Sequence, residues 1–356
     1  MKKLLVLILM IFNCFPVFAE ERVDKHLLNE MLTTLNNQYL EEINNVEVIN
    51  EGMKALTDLD NNFTVSKGGD RFYIYYKQKI NRIINYPKDV KDINGWVDSI
   101  AKVIDVAMEV SEKFSVRDFE IPDLMMKKMA SSLDEYSRYY SEYEYIESEE
   151  ENAIYTLYSD RMIGDILYLR VRVFNKQTGF SVENSLAQNP QAEGVILDLR
   201  GNSGGMFNEA LKVANLFCDN EIITYTAGRD NKNIHYYTSK DNPVYSGPLV
   251  VIMDGKTASA AEVLAAGLQE QSRAKLVGSH SFGKGTIQTV TQMSNGGKLV
   301  LTTEQFFTPS GKIIHKQGVE PDICMVPSFS EVCPSEERSR TQEDIDMAVK
   351  LLKNEI

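Results

Sequence analysis

The chain has 356 residues with a formal net charge of -13, four cysteines, four histidines and 43% hydrophobic residues. That length is enough for one large domain and a smaller one. The acidity argues against nucleic acid as a partner.

The N-terminus sets the expected compartment. Lys2-Lys3, an apolar run from Leu4 to Phe12 and Val17-Phe18-Ala19 spell a secretory signal peptide over residues 1–19, cut after Ala19. The run is too short to span a bilayer, and no second stretch is long enough, so the mature chain is expected to be secreted or periplasmic with no membrane span. Phe12-Asn13 before Cys14 do not fit a lipoprotein signal. Cys324 and Cys333 lie close in a Pro-containing tail and could pair in an oxidising compartment, whereas Cys218 ends a helix-like apolar run and reads as a buried thiol.

Residues 20–120 read as a mainly helical accessory domain. Glu20 to Leu59 is mostly helix, with Leu27, Leu28, Met31, Leu32 and Leu35 at helical spacing. Phe63–Val65 and Phe72–Tyr76 flank Lys67-Gly68-Gly69-Asp70 as a β-hairpin. Gly95 to Phe114 is an amphipathic helix with Trp96, Ile100, Val103, Ile104 and Ala107 on one face, and Pro122 opens another whose Met125, Met126 and Met129 read as core. Residues 121–165 are a connecting segment. Its tyrosine-rich part, Ser131 to Tyr145, and the acidic run Glu147, Glu149, Glu150, Glu151 read as a solvated loop.

From Ile166 to the end, strands alternate with helices, the pattern of an α/β domain with a mixed, largely parallel sheet. Ile166–Val173, Gly194–Leu199, Ile222–Thr226, Leu249–Met253 and Leu299–Phe307 read as strands; Lys312–His315 is a further extended segment. Asn208–Phe217, Glu262–Gln269 and Thr341–Lys353 read as helices.

Three stretches carry candidate chemistry. In the first, Leu249–Met253 runs through Thr257-Ala258-Ser259-Ala260-Ala261 into a helix. A strand, a small-residue turn and a helix can lift a serine hydroxyl to a sheet edge for nucleophilic work, although a serine before a helix is also an ordinary N-cap. The second, Leu197-Asp198-Leu199-Arg200-Gly201-Asn202-Ser203-Gly204-Gly205, is a strand running into a glycine turn whose backbone N–H groups suit an oxyanion. The third, Gly278 to Thr286, nearly spells a phosphate-binding loop. It fails because Gly285 stands where Ser or Thr should hold magnesium, and because Thr286–Thr291 is β-branched and alternating, a strand rather than a helix. Lys284 is better read as a base: in an apolar turn a lysine can shed its charge by desolvation, and a serine paired with such a base is a known nucleophile arrangement. His26, His235, His280 and His315 form no pair at metal-ligand spacing.

TASAAE, SFGKGTIQ, LDLRGNSGG and FFTPSGKIIHKQGVEPDI, in this order over roughly residues 125 to 325, resemble the carboxyl-terminal processing (tail-specific) serine proteases. The resemblance implies a ClpP/crotonase-like protease core over residues 166–356. It also implies a Ser-Lys dyad of Ser259 and Lys284 with Gln288 orienting the lysine, and an oxyanion hole from the amide of Ala260 and that of Gly204 or Gly205. It implies no metal and no cofactor. The expected partners are protein or peptide substrates, with an adaptor or self-association open for the accessory domain. SSLDEYSRYYSEYEY resembles the family segment that leads into the core. Members usually carry a PDZ domain after it, but the interval between Tyr145 and Ile166 is too short for a domain, which needs about 50 residues. The rival readings are a catalytically silent binding or scaffold protein on the same fold and a crotonase-like acyl-transfer enzyme, which would leave Lys284 and Gln288 unexplained.

Overall fold

The computed structural model describes residues 24–142, 144, 158–240, 242–327, 332–338 and 341–355. The signal peptide, Cys14 and the acidic run after Tyr145 lie outside these residues. The described chain divides into two compact units: one from residues up to Thr33 and from Asn44–Met129, the other from Thr34–Ile43 and from Ala130 onward.

The first unit holds most of α1 (Lys25–Gln38), then α2 (Asn45–Leu59), β1 (Phe63–Gly68), β2 (Arg71–Tyr76), β3 (Lys79–Asn85), α3 (Ile93–Val110), the single turn α4 (Glu112–Ser115) and most of α5 (Ile121–Ser131). The long N-terminal helix of the sequence reading is two helices: α1 stops at Gln38, and Asn44 caps the start of α2 by accepting from the Val46 N–H. The expected hairpin is a three-stranded antiparallel sheet: Arg71 to Tyr76 pairs on both sides, and β3 was hidden by its polar, largely exposed residues. Trp96 on α3 is fully buried and stacks on Tyr86 at 5.0 Å. Met125, Met126 and Met129 are fully buried, and Gly52 leaves the room that the Met129 side chain fills.

The second unit contains β4 (Arg138–Tyr140), β5 (Tyr158–Ile163), β6 (Ile166–Val171), α6 (Thr178–Gln188), β7 (Gly194–Asp198), α7 (Phe207–Asn215) and β8 (Ile222–Ala227). It continues with β9 (His235–Thr238), β10 (Leu249–Met253), α8 (Ala260–Glu270), β11 (Lys275–Gly278), β12 (Thr286–Gln292), β13 (Lys298–Phe307), β14 (Ile323–Cys324) and α9 (Gln342–Leu352). A six-stranded sheet runs β14-β11-β10-β7-β6-β5, parallel throughout except for β5 at its edge. Successive side chains of a strand point to opposite faces. Leu167, Leu169, Val195, Leu197, Val251, Met253 and Leu276 therefore pack in one core with residues of α6, α7 and α8. Ile166, Tyr168, Ile196, Val250, Ile252 and Val277 pack on the other with Ile345 and Ala348 of α9. Burial on both faces explains the uninterrupted apolar runs GVILD and LVVIM.

The second sheet is antiparallel, β12-β13-β8-β9, with β4 paired to β13. The tyrosine-rich stretch is thus not a solvated loop: Ser137 and Tyr139 are buried and Arg138 to Tyr140 is a strand. Lys312–His315 forms no strand; only Ile313 bridges Phe307. Cys324 and Cys333 form a disulfide, and Cys218 is a buried free thiol whose pKa burial pushes up to about 11.

Beneath the glycine loop lies a buried ionic cluster. Arg200 gives Asp198 paired hydrogen bonds of 2.9 and 2.6 Å, and reaches Asp344 at 3.1 Å and the carbonyls of Arg338 and Thr341. Arg338 grips Asp344 in turn, and Tyr168 donates to Asp198. Burial opposes the Arg200 charge, but hydrogen bonding and charge from Asp198, then Asp344, outweigh it and raise its pKa. Breaking such a cluster on one side leaves uncompensated carboxylates in the interior. Arg200→Met is expected to lower unfolding stability by about 3–5 kcal/mol, read as a lower urea midpoint with an unchanged slope.

Candidate active site

Three loops meet at the C-terminal ends of β7, β10 and β11. The loop after β10 is held by Asp254, whose Oδ1 accepts from the Lys256 and Gly201 N–H groups at 3.0 and 2.9 Å. One carboxylate thereby ties the β10 loop to the β7 loop. Thr257 Oγ1 donates to the Leu199 carbonyl, and the Ala258 N–H donates to the Asn202 carbonyl at 2.8 Å. Asn202, fully buried, also reaches the Val171 carbonyl through its side chain.

Ser259 stands at the head of α8 with φ 57° and ψ -124°. An ordinary N-cap residue is extended. This backbone is one that a residue with a Cβ enters only when its surroundings force it, as at strained functional turns. Gly204 sits against it: a Cβ there would lie 2.8 Å from Ser259 Cβ and 3.0 Å from the Ala258 carbonyl, and its own φ is +105°. Only glycine permits that approach.

The two adjacent glycines of the β7 loop differ. The Gly204 N–H donates to Asn202 Oδ1 at 2.8 Å, so it is already engaged. The N–H groups of Gly205 and Ala260 have no hydrogen-bond partner among the described residues. The Ala260 N–H is one of the open donors of the first turn of α8, at the positive end of the helix dipole.

Glu262, one turn into α8 and fully buried, joins the serine to the lysine. Its Oε2 accepts from the Ser259 N–H at 2.8 Å and from the Lys284 N–H at 2.9 Å. Its Oε1 accepts from the Gly283 N–H at 2.6 Å and from the Ser281 hydroxyl. Burial raises its pKa above the usual carboxylate range, against the lowering effect of these four donors. The turn around the lysine needs glycine on both sides. Gly283 has φ +89°, and a Cβ on Gly285 would stand 2.3 Å from the His315 backbone nitrogen. That contact explains Gly285, where the phosphate-loop pattern demands a hydroxyl.

Lys284 Nζ lies over the ring of Tyr136, 4.7 Å from its centroid. Gln288, four residues on in β12, gives its Nε2 to Thr286 Oγ1 at 3.0 Å and Thr302 Oγ1 at 3.2 Å, which leaves its Oε1 as the end able to accept from an amine. Tyr136 and Thr286 border a cavity of about 330 Å³ that His315 also lines. His315 packs edge-on to Tyr136 at 6.3 Å, and burial, then Lys316, lowers its pKa. His235 is exposed on β9. Among the described residues no group of His, Cys, Asp and Glu could hold a metal ion.

The residues from 165 to 325 match the model of peptidase family S41. This match takes in just under half of the chain. Among curated relatives, it is 35% identical over 170 residues to the carboxy-terminal-processing protease of Bartonella bacilliformis, a match covering 46% of this chain and 39% of that protein. It is 30% identical over 207 residues to the carboxy-terminal processing protease CtpA of Bacillus subtilis, covering 56% of this chain and 44% of that one. The chain thus spans well under half the length of these relatives. Among solved structures, a lipoprotein from Streptococcus agalactiae aligns with a TM-score of 0.51 and 16% identity over 90% of this chain and all of that one. That likeness concerns the fold alone, a mixed α/β arrangement with a largely parallel sheet.

Within the stretch that matches S41, Glu262 joins the Ser259 and Lys284 backbones and Gly204 packs on Ser259, whereas Gln288 is held by Thr286 and Thr302. Two contributors were missed. Glu262 stands three residues after Ser259, the spacing of a helix capping box, and that signal was available. Tyr136 lies outside the S41 match, in the stretch read as solvated. Glu262→Ala would leave four donors unpartnered in the interior, at about 1–3 kcal/mol each at most. We expect a fall in unfolding stability of several kcal/mol by this principle, and faster amide hydrogen exchange at Ser259, Gly283 and Lys284 while β10 stays protected.

Proposed function

We propose that this chain is a secreted or periplasmic serine endopeptidase of the carboxyl-terminal processing type that hydrolyses protein or peptide substrates with a Ser259–Lys284 dyad. The observation that carries the reading is the single Glu262 oxygen that takes both the Ser259 and the Lys284 N–H. It places the two backbones side by side, at a turn strained for the serine and in a glycine turn for the lysine.

In the proposed reaction, Ser259 Oγ attacks the scissile carbonyl carbon as the neutral amine of Lys284 takes its proton. The carbonyl oxygen becomes an oxyanion, and the free N–H groups of Ala260 and Gly205 are the donors available to it. Gly204 contributes by shape, letting the β7 loop close on the serine. Collapse of the tetrahedral intermediate breaks the C–N bond while Lys284 returns the proton to the leaving amine. Water, deprotonated by the same amine, then hydrolyses the acyl-enzyme and restores the serine. Gln288, fixed through its amide nitrogen, offers its Oε1 to orient the lysine. Each oxyanion donor is worth roughly 100-fold or more in rate. A preference for the C-terminal tail of the substrate forms no part of this proposal, because the interval before β6 leaves no room for a PDZ domain.

The test compares the mature protein with Ser259→Ala and Lys284→Ala on an unfolded, disulfide-free protein, with fragments read by mass. Fragments are expected from the unaltered protein alone, with Lys284→Ala slower by at least about 100-fold, the usual range for losing a general base. Cleavage by Lys284→Ala at the full rate would remove the lysine from its role. Absence of cleavage, together with no labelling of Ser259 by a serine-directed acylating probe, would favour a scaffold.

A further inference from the structure

We propose that Tyr136 is a positioning residue for the dyad, its ring face holding the protonated amine of Lys284. The proposal rests on the dyad reading and adds to it a group from outside the S41 match. Lys284 Nζ stands 4.7 Å from the ring centroid, inside the range over which a ring face attracts an ammonium. Among the described residues Lys284 forms no ion pair, and its contact with Glu262 is through the backbone N–H. The aromatic face is therefore the compensation that the structure gives this charge.

The ring is held by an elaborate turn. Asp134 Oδ1 accepts from the N–H groups of Tyr136 and Ser137, both at 2.6 Å, and Asp134 Oδ2 accepts from Ser137 Oγ at 2.9 Å. Ser137 Oγ accepts in turn from the Thr302 N–H at 3.1 Å, and Arg138 donates to the Asp134 and Ser137 carbonyls. Thr302 is also the residue whose hydroxyl accepts from Gln288. One frame thus fixes the platform beneath the lysine and the amide expected to orient it.

The phenol is not itself a competing base. Burial, then hydrogen bonding and charge from Glu135, push its pKa up to about 12, so the ring stays neutral wherever the lysine works. In the reaction the amine becomes an ammonium twice, once in each half, and a neutral π-face favours that form without fixing it in an ion pair that would hold the proton. Glu262 from α8, Tyr39 and Glu41 after α1, Asp134 and Glu135 from the turn before β4, and His315 and Lys316 after β13 are the other ionisable groups around this pair among the described residues. All stay in place when Tyr136 alone is changed.

The test reads the Lys284 amine directly. In a Ser259→Ala background, which removes self-cleavage, labelling of Lys284 by an amine-reactive anhydride is followed against pH by peptide mass. It is run for Tyr136 and for Tyr136→Phe, Tyr136→Leu and Tyr136→Trp. Losing the face destabilises the ammonium, so the labelling midpoint of Tyr136→Leu is expected to fall by about half to one pH unit. Tyr136→Phe should keep the midpoint, and Tyr136→Trp, with the stronger face, should raise it. An unmoved midpoint in the Leu variant overturns the proposal, as does a Phe variant that shifts like Leu. Should the Leu variant fail to fold, a Trp midpoint at or below that of tyrosine overturns it equally. Labelling needs no catalysis, so failure of the dyad itself shows separately, as absence of Ser259-dependent fragments.

Discussion

A single buried carboxylate organises the core of this molecule. Glu262 takes four donors, three of them backbone N–H groups from two loops that neither share a strand nor follow one another in the chain. A carboxylate is the side chain suited to the task, since it accepts from several directions and donates to none. Its place in the first turn of α8 also sets negative charge where the helix dipole favours it. The strained conformation of Ser259 follows, because the serine N–H is drawn back to the helix while its carbonyl opens the helix ladder.

The surrounding architecture repeats this device at a larger scale. Asp254 joins the loops after β7 and β10, and the Asp198–Arg200–Asp344–Arg338 cluster joins β7 to the start of α9. Each is a buried charge with its hydrogen bonds nearly filled, the condition under which burial of charge is tolerated. The apolar sheet supplies the bulk stability. The carboxylates decide which loop faces which, something a non-directional hydrophobic core cannot do.

The parallel sheet was legible in the sequence because both its faces are buried, so that Leu249–Met253 and Gly194–Asp198 read as plain apolar runs. The serine, lysine and glycine loops were legible because glycine and small residues mark tight strand-to-helix turns. What escaped notice was held by distant partners. β4 has three residues and pairs only with β13, so nothing local distinguishes Arg138–Tyr140 from the polar run beside it. β3 was lost for the related reason that its side chains are mostly exposed. Gly204 and Gly205 looked equivalent in sequence, and only the Asn202 side chain separates the engaged amide from the open one.

The long reach of the contacts around Tyr136 has a bearing on how the chain comes together. The hydrogen bond between Ser137 and Thr302 closes a separation of 165 residues, and the Arg200–Asp344 contact closes 144. Chain emerging from a ribosome presents the tyrosine turn first and its β13 partner much later. The serine and glycine loops can be in place while the Tyr136 turn still lacks its β13 partner, and α9 comes later still to the loop beneath them. Closure of the Tyr136 turn therefore waits on β13, and closure of the Arg200 cluster waits on α9.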